Sequence, residues 1–313
     1  MLSFGRTALG SLITLWGVTL VLFALIFIVP RLSSDSPDPS EAIAQSVAGA
    51  HADKDTIKQI KTNLGLNKPL AFQYVIFLKD AATNNLRSYR NGDIVFSAIA
   101  RRLPASILLA VTALVIYLGL AVPLSLFTAS RPGTFPDRAF LVLSLFAISI
   151  PTFWLGRLFQ HYLGFELNLF SVGGGANLWN LPLPALTLGI GGAAYYSRLL
   201  HANLRGVLKQ EYIRAARARG LKESRVLSKH ALKNALIPAI AVLGGDFASL
   251  ISGLIFTEKI FGWPGIGSLA IDSVSNQDIP MIMGVVLFSA LMVILGNLIA
   301  DALYRLVDPR IRV

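Results

Sequence analysis

The chain alternates long apolar runs with polar connections. The first run, LGSLITLWGVTLVLFALIFIV at 9–29, holds 21 residues without a charge, and a helix of about 20 such residues crosses a bilayer. Comparable runs occupy 105–127, 139–159, 183–200, 236–256 and 279–300. Lipid offers no hydrogen bonds, so each run must satisfy its own backbone and is read as a helix. The expectation is an all-α integral membrane protein, a single transmembrane domain over 1–313 with six spans. The first run exceeds a signal-peptide core of about 7–15 residues and is read as a retained span.

The segment 31–103 between the first two runs carries its own pattern. Pro37, Pro39 and Ser40 punctuate its start. Ile57, Ile60 and Leu64 then recur at helical spacing, with Asp53 or Asp55 placed to cap the helix and Gly65 to end it. Tyr74, Phe77 and Leu78 form a second apolar group after Pro69. A small, partly helical cap on the bundle is predicted, and an external docking surface is the functional alternative.

Charge supplies the orientation. The connections 128–138, 201–235 and 301–313 hold basic clusters, whereas 160–182 has no Lys or Arg and 257–278 has only Lys259. Nine basic residues against Glu211 and Glu223 give 201–235 a net charge of +7. Short basic loops stay in the cytoplasm, which places both termini inside; the long 31–103 loop crosses regardless of its charge and lies outside. Composition agrees: 54% hydrophobic and 14% charged residues, against about 25% charged in soluble domains. The overall +11 therefore reads as membrane flanks attracted to lipid rather than as a nucleic-acid surface.

Catalytic patterns are missing from the sequence. It has no cysteine, no Gly-Lys dipeptide and hence no P-loop, no G-x-S-x-G and no H-E-x-x-H. His51, His161, His201 and His230 are scattered over separate connections or span ends. Two G-x-G-x-x-A matches, Gly189-Gly191-Ala194 and Gly265-Gly267-Ala270, lack the strand that a dinucleotide site needs; Gly189, Gly191 and Gly192 are expected to let helices approach closely. Asp246, near the middle of the fifth run, is the one ionisable residue that cannot snorkel out, unlike Arg157 and Arg198 near span ends. It is read either as a structural group, bonded to a neighbour or paired with Arg157, or as a path-lining acid for a cationic substrate group. An intramembrane enzyme using Asp246 would need a second catalytic group that the sequence does not supply.

The loop EYIRAARARGLKESRVLSKHALKNALIP at 211–238 is the most informative stretch. Glu211 opens an Ala-rich helix containing Tyr212, Ala215, Ala216 and Ala218, Arg217 and Arg219 fall in its last turn, and Gly220 supplies a left-handed stop. A second helix is expected from about 221 to 234. Small side chains on an exposed helix leave room for another surface.

This stretch resembles the EAA loop of importer-type ABC transporter permeases, in the version of the dipeptide, oligopeptide and nickel branch. SIPTFWLG at 149–156, LPALTLG at 183–189, ARRLPAS at 100–106 and VDPRIR at 307–312 are similar to other parts of that family. EKIFGWPGIG at 258–267 resembles its E-x-x-F-x-x-P-G-x-G turn, carried by Glu258, Phe261, Pro264, Gly265 and Gly267 and expected on the periplasmic side. Arg214 departs from the general motif where a glutamate is usual. The resemblance implies a bacterial inner-membrane permease without cofactor or metal of its own and without enzymatic activity. Its 201–235 loop would couple to two ATPase subunits that bind ATP and magnesium. A second homologous permease and an extracytoplasmic binding protein would complete the system, with a peptide as substrate, or nickel or another small solute as the alternative.

Overall fold

The computed structural model describes residues 2–28, 38–49 and 53–307; Pro37, His51 and most of the 307–312 stretch lie outside the described residues. Helix α1 (Leu2–Phe23) continues through a π-helical turn at Ala24–Ile28. Helices α2 (Pro39–Ala48), α3 (Lys54–Asn63) and α4 (Leu70–Ala82) form the cap expected within 31–103. The Asp53 side chain accepts from Thr56 N–H, as its position predicted, and Gly65 turns the chain at φ +67°. Phe77 on α4 packs with Phe23 of α1, with Phe27 of the π-helical turn and with Met281 and Met283, which seats the cap on the bundle.

Helix α5 (Val95–Ala129) begins ten residues before the expected 105 and runs for 35 residues with Pro104 and Pro123 inside it. The predicted span 139–159 is corrected: α6 (Phe135–Ser149) and α7 (Thr152–Phe159) meet at a 94° bend, and α7 passes into a π-helical turn at Gln160–Glu166. Pro151 is the cause. It has no N–H for the helix ladder and drives Ile150 into an extended conformation at ψ 121°.

Helix α8 (Pro182–Val207) carries on seven residues past the predicted end of its span. After α9 (Glu211–Ala218), a short α10 (Glu223–Arg225) and the π-turn Val226–Ala231 lead into α11 (Leu232–Gly253). Then come α12 (Ile255–Ile260), α13 (Ile266–Ser275) and α14 (Ile279–Val307). Among the described residues, Leu9–Ile28, Val95–Ala129 and Ile279–Ile299 are each long and apolar enough to cross a membrane, and the bent pair makes a fourth candidate.

Helices α5 and α8 share the most extensive interface, followed by α11 with α14. The α5–α8 closeness depends on glycine: a β-carbon at Gly192 would come within 2.6 Å of the Tyr117 ring, and one at Gly189 would overlap Ile116. Gly191 has nothing within 4 Å and takes no part, contrary to its expected role.

Candidate functional site

Three groupings of the sequence-singled residues emerge, and they lie on different parts of the chain.

The first is α9. Its buried face, Ile213 and Ala216, packs with Leu200, Leu204, Val226, Ala231 and Ala235 into a cluster that joins the C-terminal part of α8 to the start of α11. Glu211, Tyr212, Arg214, Ala215, Arg217, Ala218 and Gly220 remain exposed. Gly220 sits at φ +74°, the left-handed stop expected of it. Arg217 donates to both carboxylate oxygens of Glu223, at 3.0 and 2.7 Å, and the hydrogen bonds hold Glu223 below the usual carboxylate range. Asn234 donates to the Tyr212 hydroxyl at 2.7 Å. The helix is thus anchored by its apolar face and pinned at two polar points, with a stripe of small and basic residues turned outward. Ala216 belongs to the anchoring side, not to the outward stripe.

The second grouping surrounds Asp246. The Tyr196 hydroxyl donates to Asp246 Oδ2 at 2.6 Å, and its ring stacks on Tyr117 with centroids 5.2 Å apart and planes 8° from parallel. Helices α5, α8 and α11 meet there. The Tyr117 hydroxyl is buried and has no hydrogen-bond partner among the described residues. The alternative pairing with Arg157 is not formed: Arg157 donates to Gln160 at 2.9 Å. Arg198 donates instead to the Leu141 carbonyl, at 3.4 Å. Sequence reading found Asp246 but missed both tyrosines, because two aromatic residues in apolar runs look like ordinary core.

The third is the 258–268 turn. Glu258 is 1% exposed, although it reads from sequence as a loop carboxylate. Its Oε1 accepts from the Ser106 hydroxyl at 2.7 Å and its Oε2 from Ser268 N–H at 2.9 Å. The Ser106 oxygen in turn accepts from Ile266 N–H at 2.9 Å. Burial pushes the Glu258 carboxyl up, and the hydrogen bonds from Ser106, Ser268 and Gly267 partly oppose that. Trp263, 1% exposed, donates its indole N–H to the Ala105 carbonyl at 2.9 Å. Phe261 is buried against Gly156 of α7. A carboxylate, an indole and two close glycines therefore fasten α12 and α13 to α5 just after Pro104. Ser106 and Trp263 were the unrecognised partners; both stand inside stretches that the sequence singled out, ARRLPAS and EKIFGWPGIG.

No group of three or more His, Cys, Asp or Glu residues arranged to hold a metal ion occurs among the described residues. What the arrangement offers is a scaffold of packed helices, a short helix anchored by its apolar face, and an acid held by a tyrosine where three helices meet.

Comparison with known proteins identifies the scaffold. Residues 121–313 match the binding-protein-dependent transport system inner membrane component family, and residues 1–110 match the N-terminal region of the same membrane components. The oligopeptide transport system permease AppB of Bacillus subtilis is 35% identical, with 98% of each chain covered. The glutathione transport system permease GsiC of Escherichia coli O6:H1 is 34% identical over 98% of this chain and 97% of its own. A chain of the MetNI methionine ABC transporter shares the fold, with TM-score 0.55 and 17% identity over 68% of this chain and 97% of its own. The relatives are transport subunits and not enzymes. The chain belongs to the family of binding-protein-dependent inner-membrane components, the permease subunits of ABC importers of the peptide and nickel branch.

Proposed function

We propose that this permease carries peptides inward across a bacterial plasma membrane, as one of two homologous halves of the path. The observation that carries the substrate class is end-to-end similarity to permeases named for oligopeptides and for glutathione, itself a peptide. Six spans with both termini cytoplasmic are the topology, supported by the alternation of basic and non-basic connections. On that topology α9 faces the cytoplasm and the Glu258 turn faces outward.

The exposed residues of α9, namely Glu211, Tyr212, Ala215, Arg217, Ala218 and Gly220, form the contact for an ATPase subunit. Ile213 and Ala216 carry the push into α8 and α11 through the packed cluster behind them. ATP and magnesium belong to two such ATPase partners, and an extracytoplasmic binding protein delivers the substrate to the outer face. Glu258, Phe261, Pro264, Gly265 and Gly267 keep the outer ends of α5, α12 and α13 as one block, so that a movement started at α9 is transmitted without slack. Asp246, partly exposed and oriented by Tyr196, offers a negative charge to a peptide ammonium.

The test is uptake by the complex assembled from this chain and the products of its neighbouring genes, in vesicles with ATP inside. Labelled di- and oligopeptides should accumulate only with ATP and binding protein present. Accumulation of nickel with no peptide uptake would replace the peptide reading by the nickel one.

A further inference from the structure

An apolar groove of about 380 Å³ opens between α5, α6 and α8, within the size range of small-molecule sites, about 300–1,000 Å³. Leu120, Leu124, Phe127, Leu143, Ala147 and Ile190 line it. This chain does not cover it: Leu124 is 45%, Phe127 47% and Leu143 66% exposed. At its end, where α5 gives way to the 130–134 turn, the Arg131 guanidinium lies 4.1 Å from the centroid of the Phe127 ring. The stacking holds a cation over the mouth of a hydrocarbon-lined slot.

Among the described residues no carboxylate pairs with Arg131 to cancel that cation. The acid in the adjoining turn, Asp137, is buried and committed: Oδ1 lies 2.8 Å from His201 Nε2, Oδ2 accepts from Gly133 N–H at 2.8 Å, and Arg205 stands at 3.5 Å. Arg138 is exposed on the adjoining first turn of α6, and Phe135 beside it is 84% exposed. A slot for one acyl chain, topped by the unneutralised Arg131 guanidinium with exposed Arg138 and Phe135 on the next turn, is complementary to an anionic phospholipid.

We infer that the α5–α6–α8 groove is a binding site for an anionic phospholipid of the cytoplasmic leaflet. Its acyl chain lies along Leu120–Phe127 and its phosphate sits at Arg131 and Arg138. The leaflet assignment rests on the topology proposed above; the lipid chemistry does not. Because His201 and Arg205 tie the same turn to α8, an occupied groove would stiffen the support of α9.

The test uses the whole importer complex in nanodiscs doped with phosphatidylglycerol or phosphatidylcholine bearing a photoreactive diazirine on one acyl chain. Phosphatidylglycerol should label peptides covering 120–128 and 139–147 at least threefold more than phosphatidylcholine does. Arg131→Gln should remove that preference, Arg131→Lys should keep it, and Ala147→Phe should suppress labelling by both lipids. Equal labelling by the two lipids, indifferent to Arg131→Gln, would overturn the proposal. So would absence of labelling together with disulfide capture of Leu143→Cys by the partner permease, which would make the groove a subunit interface. A Thr134→Cys thiol that reacts from outside intact cells would overturn the leaflet assignment alone, and is read separately from the lipid labelling.

Discussion

Gly265 lies directly against the carboxyl group of Glu258: a β-carbon at 265 would overlap both carboxyl oxygens. The turn can close only because position 265 has no side chain, and closing it buries the carboxylate where Ser106 and Ser268 can reach it. Gly265→Ala should therefore act as overpacking, costing about 1–3 kcal/mol. The thermal midpoint and yield of the detergent-purified complex should both drop, whereas Gly191→Ala, with open space around it, should leave both unchanged.

Glu258 also gives a pH dependence with a defined sign. Burial raises its folded pKa above the usual carboxylate value, so the folded state favours the protonated form. That contribution to stability is full below the unfolded pKa, about 4.3, and is lost as pH rises through the folded value. Glu258→Gln resembles the protonated carboxyl at every pH. The stability of wild type relative to Glu258→Gln should fall as pH is raised from about 4, as followed by thermal unfolding; a flat difference would contradict the assignment.

Tyr196 and Asp246 provide a coupling that can be measured. Asp246→Asn keeps an acceptor for the hydroxyl, whereas Tyr196→Phe removes the donor and leaves a carboxylate unsatisfied, a loss of about 1.5–3 kcal/mol. A double-mutant cycle on complex stability should give a nonzero interaction between them. If Asp246 also meets substrate, Asp246→Asn should reduce uptake of free-amino peptides more than of N-blocked ones. Equal loss for both, in step with complex abundance, would leave a structural role only.

On α9 the two faces should separate. Ala218→Glu changes an exposed position and should impair ATPase-driven uptake with the permease still folded and inserted. Ala216→Glu puts a charge into the packed cluster and should lower the amount of folded permease, by several kcal/mol of stability. Gly220→Val should resemble Ala218→Glu, because only the left-handed φ of +74° is disturbed. Expression level and ATP-dependent uptake, measured together, distinguish these outcomes.

The topology is checked by cysteine labelling, which is clean because the native chain has no cysteine. Ser171→Cys, exposed between α7 and α8, should react with an impermeant reagent from outside. Reaction only from the cytoplasmic side would reverse the orientation.

Sequence by itself determined the class, the helical character of the apolar runs and the short α9 helix, because these follow from quantities local to the chain. Hydrophobic runs mark the long helices, periodicity marks α3, and the Ala-rich run ended by Gly220 defines α9 within a residue or two. The sequence reading carried 139–159 as one unbroken span and missed the break, although a proline that removes a helix hydrogen bond was written there at Pro151. The 94° angle of the break was not written there, because Gly156 must pack against Phe261 and Thr187 for α7 to lie where it does.

Only tertiary structure decided which polar groups meet. Ser106 finds Glu258 across 152 residues, Tyr196 finds Asp246 across 50, and His201 finds Asp137 across 64. Such pairings depend on how helices cross and on register between them, which no one-dimensional pattern encodes. The same is true of Ala216 and Ala218, alike in sequence and two residues apart. One faces the protein's own core and the other the outside, because a step of two residues rotates the side chain by about 200° around a helix with 3.6 residues per turn.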